Sequence, residues 1–267
     1  MRTLAVCCLA ALLLCSLVPA VAAETGRDKP APKAPVPEGY TLVYHQSFDK
    51  PESVAGFEFT SPEKWKWATV KTDGKTNGTL ECLGQGKYKP KVRSPRIIGL
   101  IGGKVFGDFI MEVDLCQTGR EYGHRDMCIF LGFTTPSQFY YVHMATKADK
   151  NAHNVFIVND KPRTNIAKKT TKGVVWGSEK WHHVRLERKA SDGTVKVFYD
   201  DMKTPIMEAS DKTFPKGRIG FGSFDDSGRV DNIRIWAPKV ETVEKAFFGK
   251  KQPGAYDQAG EPKPKGK

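Results

Sequence analysis

The sequence predicts an all-β chain, a two-sheet antiparallel jelly-roll sandwich, on three observations. The run Lys216–Trp236 interleaves Gly with Ile and Phe, reverses at Asp225-Asp226-Ser227-Gly228 and continues as a second alternating stretch. That glycine spacing suits a crowded inner strand which another sheet approaches closely. Upstream, Glu179–Arg188 leads through Ser191-Asp192-Gly193 into Thr194–Asp201, a hairpin with period-2 alternation. Short strand signals also recur along the chain, with no long helical period between them.

In order, the N-terminus has Arg2, an apolar run from Leu4 to Val18 and then Pro19-Ala-Val-Ala-Ala23. This reads as a secretory signal peptide over residues 1–23, cleaved near Ala22, so the mature protein is expected to be secreted or periplasmic. The run is too short for a spanning helix, and no other stretch reaches the roughly 20 apolar residues a span needs, so no transmembrane segment is expected. Residues 24–38 are rich in Pro, Ala and Lys and read as a linker. Residues 239–267 hold seven Lys against four acids and end in Glu-Pro-Lys-Pro-Lys-Gly-Lys267, a basic tail too polar to bury a core, with a short helix expected at Val240–Phe248. Between them, residues 39–238 suit one sandwich.

Strands are expected at Tyr40–Phe48, Trp65–Val70, Thr79–Leu83, Phe109–Gln117, Met127–Phe133, Gln138–Thr146 and Asn154–Asn159, followed by the hairpin and the closing run. A helical turn is expected near Pro51–Ala55 or Ser61–Lys64. Trp181, at a strand start, is expected between the sheets. His182 and His183 point to opposite faces and read as surface residues, which argues against zinc through the pair.

Cys7, Cys8 and Cys15 leave with the signal, while Cys82, Cys116 and Cys128 remain. A hairpin centred near Tyr122 would set Cys116 opposite Cys128, so a Cys116–Cys128 disulfide is expected, with Cys82 a small buried hydrophobe. Three buried free thiols are the alternative.

The formal charge of +12 points to acidic polysaccharide, envelope or nucleic acid as partners, or simply to a solvated basic surface. No nucleic-acid module is present, so nucleic acid is not the expected partner. No P-loop, dinucleotide-binding glycine pattern, zinc spacing or nucleophile elbow occurs either.

The motifs Trp181-His-x-Val184, Val195-x-Val197-x-Tyr199-Asp200-Asp201, Gly217-x-Ile219-Gly220-x-Gly222-Ser223 and Asp231-Asn232-Ile233-x-Ile235 resemble the concanavalin A-like lectin/glucanase superfamily. Within it the chain looks most like secreted laminin G-like and 3-keto-disaccharide-hydrolase-like domains. The resemblance covers about Tyr40 to Ala237 and speaks to fold more than to activity. It implies a glycan ligand on a concave sheet. It also implies a structural calcium where the first and last strands meet, with Asp231 and Asp49 as candidate ligands.

On the middle strands, Tyr141 and His143 share one face. If the next strand pairs as a hairpin centred near Asp149, His153 and Asn159 join them, with Arg163 following and Asp126 adjacent. A Tyr ring suits the apolar side of a pyranose, His, Asn and Asp suit hydroxyls, and Arg163 suits a carboxylate or sulfate. A lectin-like domain recognising a glycan, in particular an acidic polysaccharide, is therefore the expected function. The alternatives are a glycoside hydrolase or polysaccharide lyase using His143 or His153 as base, and a non-catalytic envelope or adhesion module. Met111–Gln117 resembles the Glu-x-Asp-x-x-Glu strand of laminarinase-type retaining glucanases. Gln117 stands where the acid is needed, so Glu112 and Asp114 read instead as a solvated sheet face.

Overall fold

A computed structural model describes residues 34–72, 75–244 and 248. The expected signal peptide, its cysteines and most of the linker and tail lie outside them. The described strands begin with β1 (Thr41–Gln46), β2 (Phe57–Phe59), β3 (Trp65–Thr72), β4 (Lys75–Cys82), β5 (Ile97–Ile101) and β6 (Lys104–Val105). Next come β7 (Phe109–Gln117), β8 (Asp126–Thr135), β9 (Gln138–Ala145), β10 (Asn154–Asn159), β11 (Thr164–Asn165) and β12 (Ala167–Thr170). The series ends with β13 (Trp181–Lys189), β14 (Thr194–Tyr199), β15 (Met207–Ser210), β16 (Arg218–Ser223), β17 (Gly228–Ala237) and β18 (Glu241–Thr242). Short 3-10 turns follow Pro51 and Pro62, where proline presets the first helical position.

These strands build an antiparallel sandwich. One sheet runs β12-β15-β14-β13-β7-β17-β4-β3, with β1 also on β17, and the other runs β11-β10-β9-β8-β16-β5-β2. Alternation sends Met111, Val113, Leu115, Val184, Leu186 and Ile235 of the first sheet inward against Met127, Ile129, Leu131, Val142 and Phe221 of the second.

The β13–β14 hairpin is present as expected, with Val184 opposite Tyr199 and Lys189 opposite Thr194. The closing run departs from expectation. Its two strands do not pair, because β16 lies in the seven-stranded sheet and β17 in the nine-stranded one, so the acidic turn carries the chain across the sandwich. What crowds the glycines of β16 is the neighbouring strand of the same sheet: a Cβ on Gly222 would meet the Ile97 carbonyl oxygen at 1.8 Å.

The same kind of crossing removes the expected disulfide. Cys116 is on β7 and Cys128 on β8, in different sheets, so no hairpin sets them opposite each other, and Cys82, Cys116 and Cys128 are all free and buried. Trp181 is half-buried, not between the sheets; Trp176 fills that role. His182 and His183 are buried: His182 bonds Asp200 and the Trp176 carbonyl, His183 bonds Asp114. Glu112 is also buried, because Arg185 bridges its carboxylate to the carbonyls of Ala34 and Pro35. At the start of the tail, β18 pairs with β6 where a helix was expected.

Candidate functional site

The outer face of the seven-stranded sheet carries the expected residues, and it is closed. Ile98, Leu100, Cys128, Phe130, Phe139, Tyr141, Phe156 and Val158 share the parity opposite to the core and form a second buried cluster. Phe133 joins them because Gly132, at φ +55°, sits in a bulge that turns the following side chain outward. Tyr88, Val92 and Phe224 pack over this cluster.

Asp126, Tyr141, His143 and His153 are each at most 3% exposed, so no sugar reaches them. Tyr141 stacks on Phe156, and its hydroxyl accepts from Arg163 at 3.2 Å. The Arg163 guanidinium lies 4.4 Å from the Phe224 ring centroid and 5.2 Å from that of Phe156. Asp126 accepts from Ser223 and from the Nε2–H of His143. The β9–β10 register also differs from expectation: Asn154 faces His143 and Phe156 faces Tyr141. Asn159 therefore lies opposite Gln138 on the other parity, exposed, and His153 precedes the strand in a left-handed conformation, φ +53°.

Hydrogen bonding fixes what these histidines can do. Nδ1 of His143 accepts the His153 backbone N–H at 3.2 Å, so the ring proton sits on Nε2 and is donated to Asp126. Nδ1 of His153 accepts from the Ala145 N–H, which leaves Nε2–H to donate to Thr171 Oγ1 at 2.9 Å. Burial holds the His153 ring down at a pKa of about 4. Neither ring keeps a lone pair for a substrate proton, so neither is a general base.

Asp126, Cys128 and His143 bring one ligand atom each within 4.8 Å of one another, the spacing of a metal site. Their donors do not fit one. Ligation through Nε2 of His143 would require a nitrogen that carries the ring proton, and burial raises the Cys128 thiol well above its ordinary range. The cluster is a closed hydrogen-bonded core.

Among the described residues an accessible concavity lies at the end of this sheet. It is a groove of about 520 Å³ lined by Tyr88, Lys89, Lys91, Thr135, Pro136, Ser137, Gln138 and Asp160. Thr135 to Gln138 belong to the β8–β9 turn, and Asp160 follows β10 in a left-handed conformation, φ +56°. Ser137 Oγ and Gln138 Nε2 donate to the two Asp160 oxygens at 2.5 and 2.7 Å, which holds that end of the groove in shape. Tyr88 packs edge-on to Phe248, whose ring also meets Phe133. Of the expected residues only Asn159 comes near, as the chain neighbour of Asp160. The signal that could have found the groove is the alternation of cations with Tyr88, Pro90 and Val92.

At the meeting of the first and last strands, the Asp231 carboxyl is raised to about 7, chiefly by burial and further by Asp114 and Asp49. Its Oδ1 accepts the Asn232 N–H, and Asn232 Nδ2 donates to Asp114.

No family model matches this chain, and no curated protein matches it. Among solved structures it is similar to a carbohydrate-binding module, CBM66, from Bacillus subtilis: 15% identity, 70% of this chain and 96% of that one covered, TM-score 0.44. A Bacillus subtilis protein of unknown function with a galectin-like fold matches at 11% identity over 76% and 100% of the two chains, TM-score 0.49. A putative glycosyl hydrolase from Parabacteroides distasonis matches at 13% identity over 77% and 95%, TM-score 0.42. These are distant likenesses of fold, and the groove is interpreted from its own residues.

Proposed function

We propose that this chain is an exported, non-catalytic carbohydrate-binding domain whose ligand lies in the groove at the β8–β9 turn. The observation that carries the reading is the groove's make-up. The Tyr88 ring stands beside the amide of Gln138, the hydroxyls of Thr135 and Ser137 and two lysines, a set that binds sugars through one ring face and directional hydrogen bonds. Its single carboxylate, Asp160, has no second acid with which to share glycoside hydrolysis. Export rests on the signal-type N-terminus, and no described helix is long and apolar enough to cross a membrane.

Calcium at Asp49 and Asp231 is a separate part of the proposal. Its support is the Asp231 carboxyl, raised chiefly by burial and further by Asp114 and Asp49, acids whose negative charge a divalent cation would neutralise.

The test is retention of the protein on a panel of immobilised neutral and acidic polysaccharides, measured together with released reducing and unsaturated ends. Retention without released ends, weakened by Gln138→Ala, is expected. Released ends that disappear in His143→Ala would restore the hydrolase or lyase reading.

A further inference from the structure

We infer that the segment Lys87-Tyr-Lys-Pro-Lys-Val-Arg93 is a cation ladder that selects an acidic polysaccharide, one bearing carboxylate or sulfate groups along its length. This rests on the groove reading and names the ligand class of the same site.

The segment alternates without a break. Lys87, Lys89, Lys91 and Arg93 are exposed, while Tyr88, Pro90 and Val92 between them are half-buried. Tyr88 and Val92 pack on the aromatic cluster of the outer face. A chain advances at most ~3.5 Å per residue, so the Cα atoms of successive cations stand no more than ~7 Å apart. The segment, irregular from Lys87 to Pro90 and bent at Lys91–Arg93, is anchored near both ends. Ser61 Oγ accepts the backbone N–H of both Lys87 and Tyr88, at 2.9 and 3.0 Å, and the Arg93 carbonyl accepts the Arg163 N–H at 3.3 Å. Pro90 removes a backbone donor and fixes φ between them.

The charge on this edge is uncompensated. No acid occurs between Glu81 and Asp108. Among the described residues none of the four cations makes an ion pair, whereas Arg96 of the same stretch does, with Asp225. Lys89 and Lys91 line the groove, and the one carboxylate facing them, Asp160, already accepts from Ser137 and Gln138. Holding four like charges in a fixed row opposes their mutual repulsion, and a polyanion relieves it at little ordering cost because the backbone is already set.

The geometry favours a polysaccharide over a single-stranded nucleic acid. Sequence-tolerant nucleic-acid grooves stack successive bases on exposed rings. Here the ladder offers a single ring, Tyr88, where successive bases would need several, and the rings beneath it are buried.

The test uses matched polymers with and without charge: polygalacturonate against its methyl ester, and dextran sulfate against dextran, with oligodeoxythymidylate as a third arm. At low salt the full chain should bind at least one acidic polymer ten or more times tighter than its uncharged partner and tighter than the oligonucleotide. That affinity should fall steeply with added salt. Replacing Lys87, Lys89, Lys91 and Arg93 together by Gln should weaken it about tenfold with Tm unchanged, since all four side chains are exposed. Equal binding to charged and uncharged partners, an unaffected quadruple variant, tighter binding of the oligonucleotide, or no binding to either acidic polymer would each overturn the inference. If neutral polymers are retained with no preference for charge, glycan binding stands and the ladder fails. If the quadruple variant loses the acidic polymer while Gln138→Ala does not, the ladder stands and the groove reading fails.

Discussion

The backbone N–H of His153 donates to Nδ1 of His143 at 3.2 Å, and through that one bond the loop before β10 sets the tautomer of a side chain on β9. His143 is left with Nε2–H as its only polar hydrogen, aimed at Asp126. A residue that reads as a general base in the sequence is a structural donor in the fold.

His143→Ala should therefore act on stability and leave glycan retention alone. Removing the ring strands the buried Asp126 carboxylate, an effect of about 3–5 kcal/mol when one partner of a buried pair is deleted. Urea unfolding and polymer retention on the same preparation check this. Lost retention at unchanged stability would return the ligand to the buried cluster.

Acid should destabilise the protein through His153. Its pKa is about 4 in the fold against 6.5 for the free side chain, with burial the largest cause and His143 the next. Above pH 6.5 both states hold it neutral. Between 6.5 and about 4 the unfolded state binds a proton that the folded state refuses, so stability falls as pH drops, by on the order of 3 kcal/mol across the window. His153→Asn, which tolerates the left-handed backbone, should flatten the unfolding free energy over that range. An unchanged slope would place the titration elsewhere.

Asp231 runs the opposite way. Its carboxyl is raised from 3.8 to about 7, so between those values the folded state keeps a proton that the unfolded state has lost, and stability falls as pH rises. Asp231→Asn should thus be more stable than the parent above pH 7, by about 1 kcal/mol or more. If calcium is held there, millimolar calcium at pH 8 should raise the parent's Tm and leave that of Asp231→Asn unchanged. Equal shifts in both would remove Asp231 as a ligand.

Much of the fold was legible because half-buried strands announce themselves by alternation. β7 and β10 span the expected residues, and the β13–β14 hairpin forms where it was expected. β5, Ile97–Ile101, was missed because a strand buried on both faces shows a continuous apolar run and no period. The turns at residues 118–125, with two Gly, and 224–227, with Asp-Asp-Ser, were misread because such residues serve a crossing between sheets as well as they serve a hairpin. That single ambiguity produced the unformed Cys116–Cys128 bond. The burial of the expected site residues went unread for a related reason. Alternation correctly put Tyr141 and His143 on one face, but whether that face is open depends on Tyr88, Val92 and Phe224, which lie far away in the chain.

Gly222→Ala should unfold the seven-stranded sheet locally. Its added methyl would sit 1.8 Å from the Ile97 carbonyl oxygen, a backbone atom held by the β16–β5 ladder, so relief requires the strands to part. The expected loss is about 3 kcal/mol, the upper end for overpacking a core. Hydrogen exchange should show β5 amides opening first, whereas a loss spread evenly through both sheets would mean that the strain is absorbed globally.

Asp160→Asn separates charge from shape in the groove. The asparagine oxygen can still accept from Ser137 Oγ or Gln138 Nε2, so the turn keeps part of its bracing while the one negative charge facing Lys89 and Lys91 disappears. If the ligand is anionic, the parent aspartate opposes it across a solvated gap, and removing an exposed charge of that kind changes an interaction by about 0.2–1 kcal/mol. Binding of polygalacturonate or dextran sulfate should therefore tighten about 1.4- to fivefold in low salt, with the gain vanishing as salt rises, and binding of the uncharged partners should stay the same. Tightening of charged and uncharged polymers alike would mean that Asp160 shapes the groove and does not oppose the ligand. Weakening of both would mean that its carboxylate accepts a hydrogen bond from the sugar itself.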